Sequence, residues 1–276
     1  MKSVLLIGQS NMAGRGFLNE VTPIYNENIF MLRNGRWQMM TEPIHFDRSV
    51  AGVGPAASFA QAWCNANKNE QIGLIPCAEG GSSIDEWHEE GDLFRHAVSE
   101  AKFAMEDSEL IAILWHQGES DGYSGKYKNY YQKLDALVNS FRKELGTSEI
   151  PLIVGGLGDY LGKSGFGKSC TESDLINQEL FKYAENNRNC YFVTGEKLSS
   201  NPDGIHLNAA SQRKFGIRYF AAYQNQSNIT ESLDNEADIV KQLCEREHTI
   251  AEKRYMALER FTLGKGSMTE VMKFLK

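Results

Sequence analysis

Long hydrophobic runs are missing from this chain. The longest uninterrupted apolar stretch, Leu110 to Trp115, has six residues, whereas a helix that crosses a bilayer needs about 20. No membrane span is expected. The amino terminus offers only Val4-Leu5-Leu6-Ile7 ahead of Gly8. A secretory signal carries an apolar core of about 7–15 residues, so this segment reads as a buried strand and the protein as cytoplasmic. Cysteine is sparse, with five residues (Cys64, Cys77, Cys170, Cys190, Cys244) and no C-x-x-C pair. An odd count without paired spacing argues for reduced thiols in a reducing compartment. Two glycosylation-like triplets, Asn225-Gln226-Ser227 and Asn228-Ile229-Thr230, carry no meaning without export. Positive charge is also short: 29 basic residues face 36 acidic ones, for a net charge of -7. Nucleic-acid binding needs a basic face, so that partner is not expected. The six histidines (His45, His88, His96, His116, His206, His248) include no H-E-x-x-H and no close carboxylate cluster, so no metal is expected. No internal repeats occur.

The remaining composition is that of a folded domain. The 276 residues are 41% hydrophobic and 24% charged, enough for a full-sized core in one domain or two. Strands are expected at Val4–Ile7, Asn28–Leu32, Ile72–Cys77, Leu110–Trp115, Leu152–Val154 and Tyr191–Val193. Helices are expected at Pro55–Asn67, Leu93–Met105, Tyr127–Leu145, Leu175–Ala184 and Asn208–Tyr223. In the second of these, Phe94, Ala97, Val98, Ala101, Ala104 and Met105 recur at helical spacing. Alternating strands and helices imply a mostly parallel α/β sheet with helices on both faces. Ligands bind such sheets at the carboxyl ends of the strands. The places to look are therefore just after Gly8, Cys77, Trp115, Gly155 and Val193. Residues 227–276 show no strand pattern and are rich in Glu, Arg and Lys. They read as a helical hairpin broken at Gly264-Lys265-Gly266, packed on the main body, with a homodimer contact as the alternative.

Four strand ends carry residues suited to acyl transfer. Gly8-Gln9-Ser10-Asn11-Met12-Ala13-Gly14-Arg15-Gly16 fits neither the dinucleotide fingerprint nor a phosphate loop, so no cofactor is expected. It does place a serine beside glycines that admit a substrate to the backbone; the plainer reading is a turn that caps a helix. Asp203-Gly204-Ile205-His206 lets a turn set a carboxylate on one imidazole nitrogen and leave the other free, as a general base requires. The plainer reading is an Asp-Gly turn. Glu79-Gly80-Gly81-Ser82 can present a backbone N–H to an oxyanion, or is simply a turn. His116-Gln117-Gly118-Glu119-Ser120-Asp121 ends the most hydrophobic strand, and Gln117 could donate to the same oxyanion.

Together these runs resemble the four signature blocks of the SGNH hydrolases. More narrowly, they are similar to the sialate O-acetylesterase-like branch that includes carbohydrate esterase family six acetylxylan esterases. The resemblance spans roughly residues 3 to 223. It implies a flavodoxin-like three-layer α/β/α sandwich and an esterase domain over 1–226, with the helical extension 227–276 outside it. It also implies Ser10 as nucleophile, His206 as base and Asp203 as its orienter. The oxyanion hole would comprise the N–H of Ser10, that of Gly81 (with Gly80 the other choice) and the side chain of Gln117. The wider superfamily places an Asn at that last position; Gln fits the carbohydrate-esterase branch. The substrate would be a small acetylated carbohydrate of the xylo-oligosaccharide or sialic acid type.

Other residues near these blocks read as supports. Gln9 and Asn11 flank the serine. Gln9, Asn11, Arg15, Gly80 and Glu119 read as supports or as substrate contacts; Arg15 either binds substrate or, the favoured reading, braces the loops by pairing with Glu119, and His116 is expected to be a satisfied core histidine. Trp87 and Tyr123 read equally as sugar-stacking rings or as packing. One rival keeps the chemistry and moves the residue: Gly118-Glu119-Ser120-Asp121-Gly122 matches the G-x-S-x-G elbow of α/β-hydrolases, with Ser120 as nucleophile. It leaves Gln117 and the Gly8–Gly16 run idle, and Gly122 and Gly125 delay the helix an elbow should begin. A non-catalytic carbohydrate-binding module would be marked by a missing triad member, and none is missing. A lipid or acyl-thioester hydrolase would need a long apolar groove.

Overall fold

The computed structural model describes residues 1–275. Seven strands join in one sheet: β1 (Lys2–Gly8), β2 (Ile29–Arg33), β3 (Arg36–Met39), β4 (Ile72–Pro76), β5 (Glu109–His116), β6 (Leu152–Gly158) and β7 (Cys190–Gly195). Their order across the sheet is β3-β2-β4-β1-β5-β6-β7. Every neighbouring pair is parallel except β2 with β3. Without that edge hairpin the order is the flavodoxin-like one, with β1 central and β4 and β5 on either side. The winding reverses beside β1, where doubly wound sheets bind ligands. Sequence patterning did not indicate β3. It is a four-residue edge strand of Arg36, Trp37, Gln38 and Met39, too short and too mixed in polarity to signal itself.

The strands buried on both faces are near-continuous apolar runs, as parallel sheets demand. In β1, Leu5 and Ile7 point into a cluster with Phe94, Phe141 and Leu180. Val4 and Leu6 point the other way, toward Phe59, Phe215 and Tyr219. The first layer is made by α3 (Asp92–Ala104), α4 (Tyr130–Leu145) and α5 (Ser173–Asn186). The second is made by α2 (Ala56–Ala66) and α6 (Ala209–Asn225). The short α1 (Ser10–Ala13) sits directly at the carboxyl end of β1.

After α6 the chain forms three helices rather than a hairpin: α7 (Glu236–Cys244), α8 (Ile250–Thr262) and α9 (Met268–Met272). Helix α7 lays Leu243 against Ala62 of α2 and Ile217 of α6. A buried ion pair joins Arg218 of α6 to Glu236, with the two side chains 1% and 7% exposed. Glu252 of α8 accepts the backbone N–H of Glu27 at 2.9 Å and pairs with Arg246 at 2.5 Å. Among the described residues no helix is long and apolar enough to cross a membrane.

Candidate active site

Ser10 stands where β1 gives way to α1. The turn depends on Gly8, whose φ is 125° and whose missing Cβ would lie 2.1 Å from the carbonyl oxygen of His116. Only glycine lets β1 and β5 end this close together. The Ser10 N–H, at the first position of α1, has no acceptor among the described residues.

His206 and Asp203 come from the segment between β7 and α6. A bridge from Ser200 to Leu207 closes it into a tight loop, and Asn201 N–H donates to His206 O at 2.7 Å. Gly204 turns the chain with φ 71°, and a Cβ there would lie 2.4 Å from Ser164 O. Inside the loop, Asp203 Oδ1 accepts the N–H groups of Ile205 and His206, each at 3.0 Å. Its Oδ2 lies 2.8 Å from His206 Nδ1. Burial pushes the Asp203 carboxyl upward, but the two backbone N–H bonds and the imidazole outweigh it and hold the group below its ordinary value. An ionised carboxylate only accepts, so Nδ1 carries the imidazole proton. Nε2 is then an acceptor, 3.0 Å from Ser10 Oγ. These distances are within hydrogen-bond reach for a nucleophile, a base and an orienter.

Asn11 ties the two loops together. Its Nδ2 donates to Ile205 O at 3.1 Å and to Glu119 Oε1 at 2.5 Å. Its Oδ1 accepts the N–H of Leu207 at 2.8 Å, and its carbonyl accepts from Gln212 Nε2 at 3.0 Å. Glu119 is buried and also bonds His116 Nε2 at 3.1 Å. Burial raises its carboxyl, while His116 and Asn11 more than offset this and lower it. His116 is thus in the core as expected, but it is not fully satisfied: its Nδ1 is buried without a hydrogen-bond partner among the described residues.

Arg15 does not pair with Glu119. It pairs with Asp47, Nη2 to Oδ2 at 2.5 Å, and both side chains are almost fully buried. Asp47 in turn accepts the N–H of Gly80 at 2.9 Å. A Cβ on Gly80 would lie 2.3 Å from Arg15 Nη2, so the ion pair is packed flat against the glycine turn. The Gly80 N–H is therefore committed, whereas the Gly81 N–H has no acceptor among the described residues. Gly81 has φ 84° and open space where a Cβ would be.

Gln117 is turned inward. It is fully buried, and its Nε2 lies 2.6 Å from Asp121 Oδ2 and 3.1 Å from both Gln9 Oε1 and Ser82 O. Its Oε1 accepts from the Tyr130 hydroxyl at 2.9 Å. To donate to an oxyanion, this amide would have to leave Asp121 or Ser82. Ser120 has no histidine beside it; its hydroxyl donates to Gly81 O at 3.1 Å. Trp87 is wholly buried, stacks edge-on with Trp115 and donates to Ser82 Oγ, so it is packing. Tyr123 is half exposed, with Lys126 over its ring.

Asp47, Tyr130 and Asp121 were not singled out by the sequence. Asp47 and Tyr130 act through partners 32 and 13 residues away that no local motif marks, whereas Asp121 lies within the Gln117 block, only four residues on, and carries no role of its own in the sequence reading. Phe17, Leu18 and Val50, which line a groove of ≈ 650 Å³ beside His206, were missed because lone apolar residues in loops look ordinary.

Comparison with known proteins agrees with this architecture. A family model described as carbohydrate esterase, sialic acid-specific acetylesterase, matches residues 1–225. A probable carbohydrate esterase of Arabidopsis thaliana is 30% identical over 244 residues, covering 79% of this chain and 88% of that protein. The X-ray structure of the Arabidopsis protein superposes with a TM-score of 0.74 at 28% identity, over 81% of this chain and 98% of that one. The crystal structure of NanS has a TM-score of 0.65 at 17% identity, covering 82% and 97% of the two chains, and shares the fold. So does a carbohydrate acetylesterase from Xanthomonas citri, with a TM-score of 0.59 at 18% identity over 81% of this chain and 56% of that one. The chain belongs to the carbohydrate esterase family of the sialic acid-specific acetylesterase type and is a carboxylic ester hydrolase.

Proposed function

We propose that the protein is a serine esterase that removes O-acetyl groups from acetylated sugars through an acetyl-enzyme on Ser10. The observation that carries this reading is the unbroken chain from Ser10 Oγ to His206 Nε2 at 3.0 Å and from His206 Nδ1 to Asp203 at 2.8 Å. Serine is a poor nucleophile until a base takes its proton. As Oγ bonds to the acetyl carbon, its proton passes to His206 Nε2 and the carbonyl oxygen becomes an oxyanion. The uncommitted N–H groups of Ser10 and Gly81 are the donors this reading assigns to that oxyanion. Gln117 supports the same turn from below through Ser82 and Asp121, rather than donating itself. Collapse breaks the bond to the sugar oxygen, which leaves with the proton from His206. Water then attacks the acetyl-enzyme, His206 takes its proton, and acetate departs as Ser10 regains its hydrogen. Asp203 fixes the tautomer and offsets the imidazolium charge throughout.

In this reading, 1–226 is the esterase unit and the described part of the extension, 227–275, a helical support packed on it. A fluorophosphonate probe followed by peptide mass spectrometry tests the nucleophile, with p-nitrophenyl acetate turnover run alongside. The expected adduct is on Ser10, lost in Ser10→Ala and His206→Ala. An adduct on Ser120, or neither adduct nor turnover, would sink the reading.

A further inference from the structure

The groove beside His206 says which part of the substrate goes where. In an esterase of this kind the leaving oxygen must take its proton from His206 Nε2, so it has to come within about 3 Å of that nitrogen. The alcohol then extends past His206. The groove of ≈ 650 Å³ that can receive it is lined by His206 itself, with Asp203, Phe17, Leu18, Val50 and Asn201 among others. Its volume falls in the range of small-molecule sites, about 300–1,000 Å³. A larger hollow of ≈ 920 Å³ includes Glu109 and Pro151, at the edge where the strands begin, and holds none of the serine–histidine constellation.

The groove wall is apolar and open. Phe17 is 47% exposed, Leu18 44% and Val50 67%, a cluster with nothing packed over it among the described residues. Polar groups are few and suit hydroxyls. Asn201 is 4% exposed, its Nδ2 donates to Arg15 O at 2.8 Å, and its Oδ1 is left an acceptor without a donor. The charges point the same way. Arg15 is the basic side chain lining the groove, and its guanidinium is spent on Asp47 and on Gly14 O. The Asp203 carboxylate is held in its ionised form. A sugar bearing its own carboxylate would lose water here, meet no free cation and approach a like charge, which is costly.

We propose that this groove holds the leaving alcohol and selects an uncharged sugar over an acidic one, with Phe17, Leu18 and Val50 as the wall that takes its C–H face. The inference rests on the Ser10 esterase reading and goes beyond it by naming the substrate class and the residues that choose it. The test compares three acetyl esters on the full chain: an O-acetylated methyl xyloside, O-acetylated N-acetylneuraminic acid, and trifluoroethyl acetate, whose leaving group is too small to need the groove. The xyloside should exceed the acidic sugar in kcat/KM by tenfold or more, a discrimination of about the size one pocket contact supplies. Phe17→Ala should lower the xyloside value about tenfold while trifluoroethyl acetate changes less than about twofold. Val50→Lys, which sets a cation at the mouth, should narrow the gap between the two sugars. Both positions are exposed, so neither variant threatens the fold. Equal or faster turnover of the acidic sugar, or sugar kinetics indifferent to both substitutions, overturns the proposal. Failure of the wild-type chain on trifluoroethyl acetate, with Ser10 unlabelled by a fluorophosphonate, would instead overturn the esterase reading, and the groove assignment with it.

Discussion

Ser10 depends on a geometry that few other atoms share. If Ser10 is the nucleophile, as proposed, replacing it with Ala should lower kcat on p-nitrophenyl acetate by roughly 10⁴ or more, since removing it disables the whole unit. Thermal stability should change little, because one small hydroxyl is lost. Asp203→Asn should cost about 10⁴ by presenting the wrong imidazole tautomer, and steady-state rates of both variants check this. Gln117→Ala differs in kind. The residue is fully buried and bonded to Asp121, Ser82, Gln9 and Tyr130. Its loss should therefore reduce stability by about 1–3 kcal/mol as well as activity, because buried partners lose their hydrogen bonds. Urea unfolding beside the kinetics separates the two effects. The Asp203 and Glu119 carboxyls both sit below their ordinary values in the folded chain. A carboxyl depressed on folding stabilises the fold above its unfolded pKa and loses that contribution as pH falls through the folded one. Melting temperature should thus decline from the ordinary carboxylate range downward. In Glu119→Gln that part of the decline should flatten; an unchanged profile would contradict the assignment.

Elements differ in how much of them the sequence revealed. Strand β5 was legible because Leu110 to Trp115 is apolar without a break, the mark of a strand covered on both faces. Helix α3 was legible from its three-and-four spacing. Edge strand β3 was not, because half-exposed pairing leaves no pattern in four residues. The serine, aspartate and histidine were readable because each sits in a short block at a strand end. The partner of Arg15 was not readable. Asp47 lies in a loop without periodicity, and only the folded chain brings it to Gly80. The inward turn of Gln117 is a packing outcome set by Tyr130 on α4 and Asp121 in the next turn, which residue type alone cannot announce. The close approach of β1 and β5 yields its own prediction. Gly8→Ala would drive a Cβ to 2.1 Å from His116 O, which no rotamer relieves. Soluble yield and activity should fall together, whereas Gly35→Ala meets nothing within 4 Å of its Cβ but must hold φ 69°, so it should cost only the backbone strain of about 1–2 kcal/mol and leave activity nearly intact.

At the scale of the whole molecule, residues 227–275 are tied to the sheet's second layer by charge as well as by contact. Arg218 is fully buried in α6 and its guanidinium is matched by Glu236. Removing one partner of a buried pair costs about 3–5 kcal/mol, since the other charge stays buried and unmatched. Glu236→Gln should lower the urea midpoint accordingly, and a fragment ending at 226 should fold poorly because it also uncovers Ala62 and Ile217. A stable, active fragment would show the helices to be dispensable.

The placement of β1 at the centre of the sheet has a consequence for synthesis. Of the sheet's strands it is the first to be made, yet its neighbours begin at Ile72 and Glu109. At roughly 5–20 residues per second, β1 waits several seconds before β4 can pair with it. The histidine that completes the constellation with Ser10 arrives 196 residues after the serine. In the proposed mechanism Ser10 therefore stays without its base until His206 has been made, and esterase activity can appear only once α6 has begun to emerge. Activity in a synchronised translation is thus a clock for the last third of the fold rather than for its first strand.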